Sequence, residues 1–370
     1  MARKRMMLSR VKPGMIVAED ILTAEGKLII PDGTVLNDEI IEKLKQYSVF
    51  AVYIEDERDR EAKPSGEKGA KAPSSEEGYL TKLKKSQEFQ VFQKDYMHTV
   101  SALEGALKSL AEGDKEIQQD NLLKGVEDVL DKTNNALDLL DMLHCMRDYD
   151  DLTYIHSLNV GILSNMIGRE VIKNITDEEL NVLTLAGMLH DIGKLMIPEA
   201  VLQKKEPLTE QEYRMVKTHT LHGYTILKGL DIDSRIAQVA MCHHERCDGS
   251  GYPGGRGLDK IPVFARIVSI ADVYDAMTCE RVYREGVSPF EVIAMFEREG
   301  VWKFDAEFLL PFLNKVVLSC LNSEVRLSNN EVGKVVMINQ GALSRPVVQI
   351  GNDFKDLSSF KNISIDKIII

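Results

Sequence analysis

The sequence predicts a mainly α-helical protein with a small α+β module at its N-terminus and a short β extension at its C-terminus. Three observations lead there. From Tyr79 onward apolar residues recur at helical spacing, as in Leu103, Leu107 and Leu110 and again in Leu122, Val126, Val129 and Leu130. Two capping boxes, Thr176 with Glu179 and Thr209 with Glu212, mark helix starts, because each Thr can accept from the N3 amide while the Glu reaches back to the cap. Short apolar runs separated by turn residues occupy the two ends of the chain.

In residues 1–55 the apolar runs are Met15-Ile16-Val17, Lys27-Leu28-Ile29-Ile30 and Val49 to Ile54, with Pro31-Asp32-Gly33 as a turn. Asn37 is placed to cap a helix carrying Ile40, Ile41 and Leu44 on one face. Residues 56–78 contain Pro64, Gly66, Gly69, Pro73 and many charges, with almost nothing apolar to pack, and read as a flexible linker. A helical segment, 79–147, leads into a helical domain at 148–321 that holds the candidate chemistry. In 322–370 the runs Val335 to Ile338, Val347 to Ile350 and Ile363 to Ile370 predict strands. There is no solenoid-length repeat and no sustained heptad, so oligomeric state is not legible; the flanking modules leave room for a homodimer or a signalling partner protein.

A chain of 370 residues with 44% hydrophobic and 28% charged content can bury a full core. No run of about 18 apolar residues occurs, and the apolar part of the first residues is too short for a signal peptide. The expectation is a cytoplasmic protein without membrane insertion. Cys145, Cys242, Cys247, Cys279 and Cys320 form no Cys-x-x-Cys pair and read as free thiols. A net charge of −12 argues against binding long nucleic acid, while a local Lys and Arg cluster could still take a small anion.

Five of the eight histidines fall in one order with two aspartates: His156, His190-Asp191, His219, His243-His244, then Asp272. Imidazole and carboxylate together suit first-row divalent metals. His190 ends a helix carrying Leu180, Leu183 and Met188, so Asp191 can enter the same pocket and bridge two ions. His219 is expected on the helix opened by Thr209, with Tyr213, Val216, Thr220 and Tyr224 burying one face. Asp272 lies among Ile267, Val268 and Ala271 on a helix after Pro262. Two ions about 3.5–4 Å apart can bind a water-derived hydroxide and polarise a phosphoryl oxygen, so phosphodiester hydrolysis is the natural reaction. Lys194, three residues after Asp191, is within reach of a phosphate there. Arg281 and Arg284 are candidates for phosphate or guanine contact.

Singly, a histidine on an apolar helix face is more often a hydrogen-bonded core residue than a ligand, and His98, His144 and His222 are read that way. Lys194, Arg281 and Arg284 taken alone would be ordinary surface cations, and residues 249–257 an ordinary turn-rich loop. Their places beside the ligand motifs favour function. Cys242 reads as a packed small residue.

The motifs His190-Asp191-Ile192-Gly193-Lys194, His243-His244-Glu245 running into Asp248-Gly249-Ser250-Gly251-Tyr252-Pro253, and Ala271-Asp272-Val273-Tyr274-Asp275-Ala276-Met277 with Arg281-Val282-Tyr283-Arg284 resemble the HD-GYP family. The resemblance covers roughly 148–321. It implies an HD-superfamily helical core, with His156, His190, Asp191, His219, His243, His244 and Asp272 holding a binuclear centre, iron first and manganese as the alternative. It also implies that Lys194, Tyr252, Asp275, Arg281 and Arg284 contact cyclic di-GMP, the bacterial second messenger, which is hydrolysed to the linear dinucleotide or GMP. Asp191 and Lys194 are its catalytic pair. Members with a third metal use a Glu one turn before the first ligand His; Leu152 stands there, which tells against a third ion. The alternatives are a slow cyclic-dinucleotide sensor and a hydrolase of another cyclic dinucleotide such as cyclic GMP-AMP. The segment around Lys12-Pro13-Gly14-Met15 and Pro31 to Thr34 resembles a module found ahead of such domains, regulatory by hypothesis.

Overall fold

Ser86 begins the longest helix by accepting from the Phe89 N–H at 3.1 Å, and Gly113, at φ 104°, ends it in the left-handed conformation that a glycine adopts without strain. Between them Phe89, Phe92, Tyr96, Val100, Leu103, Leu107 and Leu110 bury one face. The computed structural model describes residues 3–7, 11–18, 21–22, 28–31, 33–37, 40–41, 44, 51–55, 79–133, 135–146, 152–279 and 287–369. The linker assigned to 56–78 lies outside the described residues. Two compact units are present: Leu83–Ser319, and a second made of Met1–Lys82 with Cys320–Ile370.

The larger unit is helical. Helix α1 (Tyr79–Lys84) has its first four residues in the smaller unit, and the larger one continues with α2 (Gln87–Glu112), α3 (Gln119–Leu130), α4 (Ala136–Cys145), α5 (Leu152–Val171) and α6 (Asp177–Leu189). After a 3-10 turn at Ile192–Met196 come α7 (Glu199–Leu202), α8 (Glu210–Lys217), α9 (His219–Lys228) and α10 (Ser234–Cys242). Then follow α11 (Val263–Thr278), α12 (Pro289–Met295), α13 (Val301–Lys303) and α14 (Ala306–Ser319). Both capping boxes form, at Thr176 with Glu179 and Thr209 with Glu212. Among the described residues no helix is long and apolar enough to cross a membrane.

The helix that Thr209 opens does not run through His219, as its sequence suggests, but stops at Lys217. At the break Thr218 donates to Met215 O from both its Oγ1, at 2.6 Å, and its N–H, at 3.0 Å, and His219 Nδ1 donates to Val216 O at 2.7 Å. Of the face expected to be buried, Thr220 is, whereas Tyr213 is exposed.

Two glycine contacts bring the site's elements together. A Cβ on Gly187 of α6 would lie 2.8 Å from both Gly161 Cα and Val160 O of α5, so the two backbones touch where only hydrogens intervene. A Cβ on Gly193 would lie 1.9 Å from His219 O and 2.4 Å from Gly223 N, which locks the 3-10 turn onto α9. Asn165 Nδ2 donates to Thr184 Oγ1 at 2.9 Å across the first of these crossings.

The smaller unit joins the two ends of the chain. Strands β1 (Arg3–Met7) and β4 (Ala51–Glu55) pair antiparallel, as do β2 (Ile21–Leu22) and β3 (Leu28–Ile30). Asn37 Oδ1 accepts from the Ile40 N–H at 2.8 Å, the cap expected of it. β5 (Glu324–Leu327), β6 (Val332–Met337), β7 (Val347–Ile350), β8 (Asp353–Asp356) and β9 (Ile365–Ile368) form an antiparallel sheet in the order β8-β7-β6-β5-β9. The sequence analysis sets 1–55 and 322–370 apart as separate modules, but Val17, Leu36, Leu44 and Ile54 share one core with Val336, Met337 and Val347.

Substituting Gly187→Ala forces a methyl into the backbone of α5. It is expected to destabilise the chain by about 1–3 kcal/mol, the usual range for overpacking, read as a lowered midpoint in thermal unfolding.

Candidate metal centre

Each candidate ligand sits at or near a helix end or on a buried helix face. His156 lies on α5; His190 caps the C-terminus of α6 and Asp191 opens the 3-10 turn; His219 begins α9; His243 caps the C-terminus of α10 and His244 follows it; Asp272 lies on α11. All are brought together. The ligand atoms of Asp191, His219, His243 and His244 lie within 4.8 Å of one another, and so do those of His156, His190 and Asp191. Asp191 is common to both groups, the place expected of a bridging carboxylate. Asp272 stands beside them, with Oδ1 3.3 Å from His156 Nε2 and 3.8 Å from His190 Nε2, and Oδ2 4.0 Å from His244 Nδ1.

The hydrogen bonds fix the imidazole tautomers. His190 Nδ1 lies 2.7 Å from Gly187 O, His219 Nδ1 2.7 Å from Val216 O, and His243 Nδ1 3.0 Å from Ala240 O. A carbonyl oxygen only accepts, so each Nδ1 carries the proton and each neutral ring turns a bare Nε2 lone pair inward. His156 Nδ1 donates to Asp275 Oδ2 at 2.7 Å. The pocket is consequently crowded with acceptors. His219 Nε2 and His243 Nε2 face each other at 3.3 Å with no proton to share between neutral rings, and His190 Nε2 and Asp191 Oδ1 are buried without a hydrogen-bond partner. Such an arrangement is costly unless a cation occupies it. The donor set therefore fits divalent metal, and the carboxylate on His156 Nδ1 is the usual outer partner of a metal-bound imidazole.

Charge states agree. Burial pushes His219, His243 and His244 down, His244 to about 3, so all three are neutral near pH 7 and available as ligands. Burial would raise Asp191, but Lys194 and His190 outweigh it and hold the carboxyl well below its ordinary range. Asp272 is likewise held down against burial, chiefly by the hydrogen bond from His156. His156 is the exception. Burial lowers it, but its hydrogen bonds and charge interactions with Asp272 and Asp275 prevail and lift it to about 9.

Lys194, partly exposed, rests on Asp191 Oδ2. The Tyr252 ring lies 4.7 Å from the His244 ring and 6.4 Å from that of His219, so it walls the centre. Asp275, read from sequence as a nucleotide contact, is buried, with Oδ2 on His156 and Oδ1 accepting from Asn159 Nδ2 at 2.8 Å and from the Cys279 thiol at 3.4 Å. Both its oxygens are committed inside the protein. Arg281 and Arg284 lie outside the described residues. His144 is buried away from the centre, 3.1 Å from the Tyr274 hydroxyl.

Two residues at the site were not singled out from sequence. Glu245, buried immediately after the histidine doublet, accepts from the Gly254 N–H at 2.7 Å and the Arg256 N–H at 2.8 Å, which ties the loop carrying Tyr252 to the ligands. Its place between the doublet and the glycine-rich loop was the available signal. Lys217 places Nζ 5.0 Å from the Tyr252 ring centre and 4.5 Å from that of Tyr213. Nothing in its local sequence distinguishes it from a surface lysine.

Residues 146–308 match the HD domain family. The chain is 32% identical over 208 residues to a cyclic di-GMP phosphodiesterase of Pseudomonas aeruginosa, covering 55% of this chain and 49% of that protein. It is 38% identical over 150 residues to a cyclic di-GMP phosphodiesterase of Thermotoga maritima, covering 40% of each. It is 37% identical over 152 residues to a 3'3'-cGAMP-specific phosphodiesterase of Vibrio cholerae, covering 41% of this chain and 33% of that protein. The matches thus span half or less of these relatives' lengths.

The protonated His156 has a measurable consequence. Below pH about 9 an incoming metal ion must displace its proton, so from this group affinity weakens about 10-fold for each pH unit below 9 and levels off above it. Proton release during metal titration in weak buffer at pH 7 checks this. Replacing Glu245→Ala leaves the Gly254 and Arg256 N–H groups without their acceptor and is expected to cost about 1–3 kcal/mol for each group that stays unsatisfied. Faster proteolysis within 248–257 and a lower unfolding midpoint are the readouts.

Proposed function

We propose that this chain, an HD-domain protein through its residues 146–308, is a metal-dependent phosphodiesterase whose substrate is cyclic di-GMP. One observation carries the reading: the buried His190, His219 and His243 turn unprotonated Nε2 atoms onto one aspartate, Asp191, that belongs to both groups of candidate ligands. The seven residues His156, His190, Asp191, His219, His243, His244 and Asp272 would hold two divalent ions, iron first and manganese as the alternative. When bound, such a pair supplies Lewis acidity toward a phosphoryl oxygen and an activated water at neutral pH.

The chain's own residues divide the remaining work. Lys194 supplies a cation beside Asp191, where it neutralises a non-bridging phosphate oxygen. Tyr252 offers a flat wall against His244 for a base or ribose, and Glu245 holds its loop in place. Lys217 adds a second positive charge at the outer side of Tyr252, suited to an anionic dinucleotide. Asp275 is assigned to orienting His156 rather than to the nucleotide. Arg281 and Arg284 remain in the proposal as phosphate or guanine contacts on the strength of their motif alone. Leu152, one turn before His156, offers no ligand atom, so two ions are proposed rather than three.

Cyclic GMP-AMP is the second substrate reading, favoured by the name of the Vibrio cholerae relative. Anaerobically purified protein, assayed by elemental analysis and by product chromatography on both dinucleotides with Fe or Mn, separates the two. About two metals per chain and conversion of cyclic di-GMP to linear dinucleotide or GMP are expected. Faster turnover of cyclic GMP-AMP would reassign the substrate, and binding without turnover would make the chain a sensor. Asp191→Ala is expected to lose nearly all hydrolysis and to weaken metal binding by more than about 100-fold, beyond the range for outer partners. Activity at unchanged metal content would remove the shared-carboxylate assignment.

A further inference from the structure

Helix α2 lies outside the part of the chain that matches the HD domain family, yet it reaches the metal centre by hydrogen bonds. Tyr96, fully buried in its middle, donates from its hydroxyl to Asn159 Oδ1 at 2.6 Å. Asn159 Nδ2 donates to Asp275 Oδ1 at 2.8 Å, and Asp275 Oδ2 accepts from His156 Nδ1 at 2.7 Å. The polarity of this line is set from the carboxylate end. Asp275 only accepts, so Asn159 must turn its NH2 toward it and its oxygen toward Tyr96, which leaves the phenol as donor. Burial, with the charge of Asp275, raises the Tyr96 pKa well above its ordinary value and keeps that proton in place.

Packing alone does not call for the hydroxyl. Phe89, Phe92 and Tyr96 stack in sequence along α2, with ring centroids 6.4 and 5.8 Å apart, and a third phenylalanine would fill the same space. A hydroxyl buried there is unfavourable unless it is bonded, and its bond goes to Asn159. We infer that Tyr96 is a positioning residue for the metal centre. Through Asn159 and Asp275 it holds the His156 ring with its proton on Nδ1 and its Nε2 lone pair on the ion. The inference rests on the metal-centre reading above, but not on the identity of the substrate.

The test uses the full chain, stripped of metal and titrated anaerobically with Co2+ while its visible absorption is followed. Tyr96→Phe is expected to weaken Co2+ binding about 10-fold and to shift the absorption bands, as loss of an outer hydrogen-bond partner does. Thr184→Val is the control. It deletes a hydrogen bond equally buried between α5 and α6, and it is expected to lower stability while leaving Co2+ affinity and spectrum unchanged. Wild-type Co2+ binding by Tyr96→Phe, or an equal loss in Thr184→Val, would overturn the inference. Should Tyr96→Phe not fold, Asn159→Ser breaks the same line one step closer and is read against the same control. No Co2+ uptake by the unaltered chain would overturn the metal-centre reading and this inference with it. Uptake that Tyr96→Phe weakens, in a protein that leaves cyclic di-GMP intact, supports the inference and removes only the substrate.

Discussion

Lone-pair crowding around Asp191 is the constraint on which the helical unit is built. His190, His219 and His243 turn acceptor nitrogens toward Asp191 in a pocket from which water is largely excluded. An apolar core would not tolerate this. Acceptors packed against acceptors repel, and each buried polar atom left unbonded carries a desolvation penalty. The arrangement is stable only when positive charge enters it, and in the chain as described that role falls to Lys194 and to the proton on His156. A bound metal would displace the proton on His156, which links folding, protonation and metal occupancy in one equilibrium.

Holding such a pocket open for a cation requires a rigid frame, and the frame is made of close backbone contacts. Gly161 against Gly187 fixes α5 on α6, which sets His156 beside His190 with ring centroids 5.3 Å apart. Gly193 against His219 and Gly223 fixes the 3-10 turn on α9, which sets Asp191 3.4 Å from His219 Nε2. In both cases a missing Cβ determines a ligand distance. The outer hydrogen bonds then fix rotation: backbone carbonyls for His190, His219 and His243, and Asp275 for His156. Glu245 extends the same economy to the rim by using two loop N–H groups to hold Tyr252 against the ligands. The loop at the rim and the geometry at the centre are thereby tied to adjacent residues of one short stretch.

By itself the sequence determined the helical class of the larger unit, the Thr176 and Thr209 caps and the order of the His and Asp residues that the fold brings together. These are local properties: periodicity, caps and ligand motifs are each written within a few neighbouring residues. Tertiary structure alone decided what Asp275 touches, that Tyr96 reaches it through Asn159, and that the two ends of the chain share a core. Tyr96 and Asn159 are 63 residues apart, and Asn159 and Asp275 are 116 apart. Apolar spacing reports that a face is buried but not against what, so such partners carry no local signal. The polar edge strand Asp353–Asp356 was missed for a related reason, since its pairing comes from a neighbouring strand and not from its own apolar content. The break before His219 is of the same kind: the helical pattern is continuous in the sequence, and the chain departs from it where His219 is turned toward Asp191.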